Sequence, residues 1–143
     1  MISIKVDHKN KEVLATITRS EKITKSSMRS ALHEIGTENR RELKKQIRTG
    51  KRTGRTYTIK GKRHIASAVG EVPKSVTGNL AKSVDYRVRN WNLMDFGVTT
   101  NADYMKYLEA TRPAVNKIAE EKQRDTQNTL IKYLEKALKK GKQ

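Results

Sequence analysis

Two long helical stripes in this chain are separated by a stretch that cannot itself be helical, Thr49 to Ser83. It reads TGKRTGRTYTIKGKRHIASAVGEVPKSVTGNLAKS. Five glycines and Pro73 punctuate it, and neither residue type sustains a helix interior. Two β-prone pieces, RTYTI and RHIASA, flank Lys60-Gly61-Lys62, which predicts an extended hairpin. The part from Thr49 to Val76 is 28 residues long, too long for an idle connector. We read residues 49–76 as an arm or loop that protrudes from the body and touches something else.

The flanking stripes are regular. Met28, Ala31, Leu32, Ile35, Asn39, Leu43 and Ile47 recur every three or four residues, which predicts a helix over Thr24–Arg48. Thr24 or Ser26 is the expected N-cap, and Gly50 the expected left-handed stop. Gly36 interrupts the stripe at a cost of about 1 kcal/mol in helix propensity, which close helix packing would explain. Thr111 caps a second long helix, with Pro113 in its first turn. Its stripe is Val115, Ile118, Ala119, Lys122, Thr126, Leu130, Tyr133, Leu134, Ala137 and Leu138. The middle, Lys122 to Asn128, is polar, so only the ends are expected to be deeply buried, or the middle to meet a polar partner. Residues 139–143 read as a frayed basic tail.

The remaining segments alternate with period two. Ile2, Ile4 and Val6, then Val13, Ala15 and Ile17, predict a hairpin over Met1–Arg19 around a polar turn. Val84, Tyr86 and Val88 and then Met94, Phe96 and Val98 predict an antiparallel pair, with Trp91 as its anchor. TGNLAKS before it reads as a turn or two of helix capped by Thr77, and Asp103–Glu109 as a short helix. The order lacks βαβ units. It describes one α+β domain over residues 1–143, a small antiparallel sheet packed against two long helices, with the arm between the first helix and the sheet.

Charge narrows the partners. The chain carries +17, with only 34% apolar and 33% charged residues. So thin an apolar content favours further burial against copies or a partner, while the regular stripes exclude wholesale disorder. From Arg40 to Arg63 there are eleven basic residues against the single acid Glu42. Lys51, Arg52, Arg55, Lys60, Lys62 and Arg63 in the arm are therefore candidates to face DNA or an acidic neighbour. The competing reading is a solvated basic loop.

Catalytic chemistry finds no foothold. There are no cysteines, and His8, His33 and His64 stand apart without acids at ligand spacing. No glycine run forms a phosphate loop, no serine lies in a GxSxG context, and Glu120-Glu121 point in different directions on a helix. We expect no cofactor, no metal and no enzyme activity. The N-terminus lacks the apolar core of a signal peptide and no run is long enough to span a membrane. Nor is there a zinc finger, RNA-recognition motif or helix-turn-helix, so contact with DNA would be to phosphate and nonspecific.

The run HIASAVGEVPKSVTGNLAKSVDYRV, then MDFGV, then YMKYLEATRP before a long helix resembles the tail-completion family of long-tailed bacteriophages, also called head–tail joining, neck or minor tail component proteins. Pro73, Thr77, Gly78, Leu80 and Ser83 match the family-like turn, and Tyr104, Tyr107 and Glu109 the tyrosine motif. The resemblance covers about residues 24–140 and rests on the order of short motifs. Two departures stand out. Glu109-Ala110-Thr111-Arg112 replaces a longer glycine-containing segment, and the N-terminal hairpin is more developed.

The resemblance implies a structural virion subunit, forming a homo-oligomeric ring, commonly a hexamer. One face would dock on the head-side connector or stopper, the other on the tail terminator or tail tube, with double-stranded DNA passing through the lumen. It would be made in the host cytoplasm and end in the neck of the virion. The alternative is a small nonspecific nucleic-acid-binding protein, which basic residues alone would serve.

Overall fold

A computed structural model describes residues 11–73, 78–99, 110 and 114–141, with side chains from Thr18 onward. Its longest element is α1, Lys11–Thr49. Buried Ala31, Ile35, Asn39, Leu43 and Ile47 follow one another at every fourth residue along it. The helix begins far earlier than the stripe suggests. Of the expected N-terminal hairpin, Met1–Asn10 lies outside the described residues, and Lys11–Arg19 is helical instead of extended. Val13, Leu14 and Ile17 satisfy a helical spacing as well as an alternating one, and no glycine or proline stands between Lys11 and Ile35. Once nucleated, a helix gains one bond per residue added, so it runs back through them.

Thr24 and Ser26 consequently lie inside the helix and cap nothing. Thr24 Oγ1 donates to the Ser20 carbonyl at 2.9 Å, and the Ser26 carbonyl accepts from Ser30 Oγ at 3.2 Å. At the other end the Gly50 amide donates to the Gln46 carbonyl at 2.8 Å. Gly50 is not left-handed. Its missing Cβ matters for another reason: that atom would stand 2.5 Å from the Gln46 oxygen.

The second long helix is two. Val115–Glu121 forms α3 and Gln123–Gly141 forms α4, with Lys122 between them at φ −96° and ψ 4°. The amide of Lys122 still bonds to Ile118 at 2.9 Å and that of Thr126 to Lys122 at 2.8 Å, so the ladder crosses the break. Nothing in the structure explains why the break falls there. Ala114 occupies the N-cap position of α3, while Thr111 and Pro113 lie outside the described residues. The pair runs antiparallel to α1. Gln46 Nε2 donates to Glu121 Oε2 at 3.0 Å, Tyr133 OH to Glu34 Oε2 at 2.6 Å, and a Cβ on Gly141 would meet Ser20 Oγ at 3.6 Å. The polar waist is half-buried or exposed while Ile118 and Ala137, nearer the ends, are buried.

The strand pair forms as read. β3, Val84–Val88, is antiparallel to β4, Met94–Val98, with Val84 opposite Val98, Tyr86 opposite Phe96 and Val88 opposite Met94. Trp91 in the connecting turn remains two-fifths exposed, and the Lys25 ammonium of α1 stands 5.9 Å from its ring centroid. The two-stranded sheet lies on α1 and places Tyr86 against Gly36. The close approach at Gly36 is therefore to a strand, not to a helix.

A single helical turn, α2, Asn79–Lys82, leads into β3. Gly78 enters it with φ 80°, a left-handed backbone that glycine adopts without cost. Ser83 Oγ donates to the Leu80 carbonyl at 2.9 Å, and the Ser83 carbonyl accepts from the Thr99 amide at 2.8 Å. The core collects Leu43 and Ile47 of α1, Val72, Ala81, Val84, Ala114 and Ile118, with Leu80, Phe96, Val98 and Val115 packed around them. The described chain is thus α+β, with the core between the C-terminal half of α1, the turn, the sheet and α3.

Candidate functional site

The arm folds as a second two-stranded sheet. β1, Thr56–Ile59, pairs with β2, Lys62–Ile65, in the register Thr56 with Ile65, Tyr57 with His64, Thr58 with Arg63 and Ile59 with Lys62. Lys60 at φ 47° and Gly61 at φ 75° make the two-residue turn. Positive φ at both positions is the type I′ pattern that matches strand twist, and glycine supplies it freely. Strand alternation puts Tyr57, Ile59, Lys62 and His64 on one face and Thr56, Thr58, Arg63 and Ile65 on the other. Tyr57 and His64 stack with ring centroids 5.8 Å apart. No residue of either strand is buried.

At its root the arm is tied. The Gly54 amide donates to the Ala66 carbonyl at 2.9 Å, and the Ala66 amide to Arg55 at 3.0 Å. Below these bonds the Glu71 carboxylate accepts from the Thr53 amide at 3.1 Å, the Thr53 hydroxyl at 2.6 Å and the Ala68 amide at 2.8 Å. The Thr53 hydroxyl above all, then the Ala68 and Thr53 amides, hold the carboxyl of Glu71 below the ordinary carboxylate range. One acidic side chain thereby fastens both legs of the arm, and Val72 and Pro73 beyond it are buried.

Of the six basic candidates, Lys51, Arg55, Lys60, Lys62 and Arg63 are exposed. Arg52 is the exception: it is half-buried, turns back to donate to the Arg48 carbonyl at 2.6 Å, and leaves its Nε buried without a partner. None of the six takes part in an ion pair among the described residues, whereas Arg40, Arg41, Lys45 and Arg89 on the body all do. Lys51 feels Glu71 only through space. The arm therefore carries uncompensated positive charge on a rigid ribbon.

The family-like turn divides. Pro73, Gly78, Leu80 and Ser83 lie together between the arm and β3, where they set the exit of the arm from the core. Thr77, Tyr104, Tyr107 and Glu109, with the short helix expected over Asp103–Glu109, lie outside the described residues. Among the described residues no group of three potential metal ligands occurs, and no helix is long and apolar enough to cross a membrane.

Two features escaped the sequence reading. Glu71 is the single acid between Glu42 and Asp85, a signal that was legible. The other is a cleft of about 320 Å³ between α1 and α4, at the polar waist, where Glu38, Asn39, Lys122 and Asp125 converge. Nothing local in the sequence brings those two helices into register.

The chain matches no protein-family model, no curated protein and no solved structure.

Proposed function

We propose that the chain is a ring-forming tail-completion, or neck, subunit of a long-tailed bacteriophage, joining the head connector to the tail tube around a channel for double-stranded DNA. The observation that carries this reading is the basic hairpin itself, a rigid ribbon with unpaired cations standing off a helical body that holds its own charges in ion pairs. Free cations on a projecting element suit contact with phosphate or with a neighbouring subunit, and need no base recognition. The thin core agrees with a subunit completed by its neighbours: its largest fully buried side chains are Leu43, Ile47, Ile118 and Val84. Apolar side chains left in water, including Val69, Leu93, Ile131 and Leu138, supply surface for such packing. In this reading the partners are further copies in a ring, commonly six, a connector or stopper on the head side, and a terminator or tube protein on the tail side.

Electron microscopy of the purified protein and of virions tests the reading. Rings, the protein in the neck of virions, and unjoined heads and tails on deletion are the expected results. Virions that lack the protein, or normal joining without it, would overturn it.

The same unpaired cations favour one second reading, a small nonspecific nucleic-acid-binding protein. It requires the isolated subunit to bind DNA with sub-micromolar affinity near physiological salt, which a salt titration decides.

A further inference from the structure

The cleft between α1 and α4 is polar where two packed helices are ordinarily apolar. Glu38, Asn39, Lys122, Asp125, Asn128 and Thr129 line it. Asn39 is only 7% exposed, yet its side chain makes no hydrogen bond to the described residues and borders the open cleft. An amide so placed is costly unless water or a ligand meets it. The field there is negative. Gln46 Nε2 bridges Glu42 at 3.2 Å and Glu121 at 3.0 Å at one end of the cleft, adding two acids to Glu38 and Asp125. The cleft already stabilises one cation: a hydrogen bond to Asp125, and then the charges of Asp125, Glu42 and Glu38, hold the Lys122 ammonium above its ordinary value.

We propose that this cleft receives the Lys60–Arg63 tip of the arm of a second copy of the chain. The inference rests on the ring reading and names the contact within it. Complementarity of charge selects the occupant. Lys60, Lys62 and Arg63 are exposed and without ion pairs among the described residues, on a chain whose surface is otherwise strongly basic. Four-residue strands rising about 3.3 Å per residue carry that tip roughly 13 Å from its root, enough to reach past the chain's own surface. A long basic stem fits a cleft of about 320 Å³, where Asp125, Glu38 and the Asn39 carbonyl can accept its hydrogen bonds. Arm and cleft are different surfaces of one chain, so the contact is head-to-tail, the geometry that closes into rings. Lys51 and Arg55 at the arm root remain free to face DNA.

Charge reversal tests this on the full-length protein. Three variants are compared with wild type by light scattering across a concentration series: Lys60→Glu/Lys62→Glu/Arg63→Glu, Glu38→Lys/Asp125→Lys, and all five changes together. Wild type assembles. Either reversed surface alone should raise the concentration needed for assembly by roughly tenfold or more, and the combined variant should recover it. Recovery cannot come from a variant that fails to fold. If both single-surface variants assemble like wild type, the arm–cleft contact is wrong and the ring reading stands. Failure of the combined variant to recover also overturns the contact. A wild type that stays monomeric throughout overturns the ring reading together with it.

Discussion

The ring of Tyr86 occupies the space where a side chain on Gly36 would begin. A Cβ built on Gly36 would stand 2.3 Å from Tyr86 Cδ2 and 2.5 Å from Cγ. The ring is fixed from three further sides. Thr37 Oγ1 lies 2.9 Å from its hydroxyl, His33 meets it edge-on at 6.0 Å, and the Arg40 guanidinium stands 5.7 Å from its centroid. This is how β3 docks on α1.

Gly36→Ala should therefore destabilise the protein, although alanine is the better helix former by about 1 kcal/mol. Overpacking of a fixed ring costs roughly 1–3 kcal/mol, which outweighs the propensity gain. The sign should invert once the ring is removed: in a Tyr86→Ala background the same substitution should stabilise. Urea denaturation of the four proteins of this cycle measures both signs, and a stabilising Gly36→Ala in the wild-type background would refute the docking.

The arm root should loosen in acid. The folded pKa of Glu71 lies below its ordinary 4.5, so its hydrogen bonds contribute fully above pH 4.5 and are lost as pH falls through the lower folded value. Amide exchange at Thr53 and Ala68 should accelerate in that window. Glu71→Gln should give exchange that is faster and no longer follows pH in this range. Protection that persists unchanged in the variant would show that the clamp lies elsewhere.

Tyr133 and Glu34 hold α4 to α1, and each perturbs the other. The Tyr133 hydroxyl above all, aided by Lys132, draws the Glu34 carboxyl down, while Glu34 pushes the Tyr133 phenol up. For Glu34 the stabilisation is present above its ordinary pKa and fades in acid; for Tyr133 it is present below about 10 and fades as the phenol ionises at higher pH. In Tyr133→Phe the Glu34 pKa should move back up, as read by carbon-detected titration. No movement would mean that Lys132 alone sets it.

Lys60 holds φ 47°, a conformation that costs a residue with a Cβ roughly 1 kcal/mol and that asparagine tolerates better. Lys60→Asn should thus stabilise the β1–β2 hairpin, seen as slower amide exchange across the Ile59–Lys62 pair. Gly61→Val should do the reverse. Equal exchange in all three proteins would argue against the type I′ turn.

Binding to DNA should depend on salt through the exposed cations. Each phosphate contact removed should reduce the slope of log affinity against log salt by about 0.9. Arg55→Gln should reduce it, whereas Arg52→Gln should change it little, because Arg52 is already committed to the Arg48 carbonyl. Equal losses at the two positions would place Arg52 at the DNA surface after all.

What the sequence reveals about this fold follows the range of the forces involved. Both central strands, the arm hairpin and the buried stripe from Ala31 to Ile47 were legible because they rest on local periodicity and on a two-residue turn. Lys11–Arg19 was misread because a short run such as VLATIT satisfies both periods, and the decision comes from a helix already nucleated downstream. The reason for Gly36 became visible only with Tyr86 in place, fifty residues later in the chain. The basic arm could be read from charge alone. Its clamp at Glu71 and the polar cleft at Asn39 could not, since both depend on segments that meet only in three dimensions.

The hairpin has a further consequence for anyone handling the protein. Both its strands have an unpaired outer rim of amides and carbonyls, and it shows Tyr57, Ile59 and Ile65 to water. Such a ribbon is a template on which another ribbon can stack, and Lys60, Lys62 and Arg63 keep like ribbons apart by repulsion. The cations are thus gatekeepers of solubility as well as contacts. Neutralising them should make the protein precipitate, while reversing them to glutamate should keep it in solution.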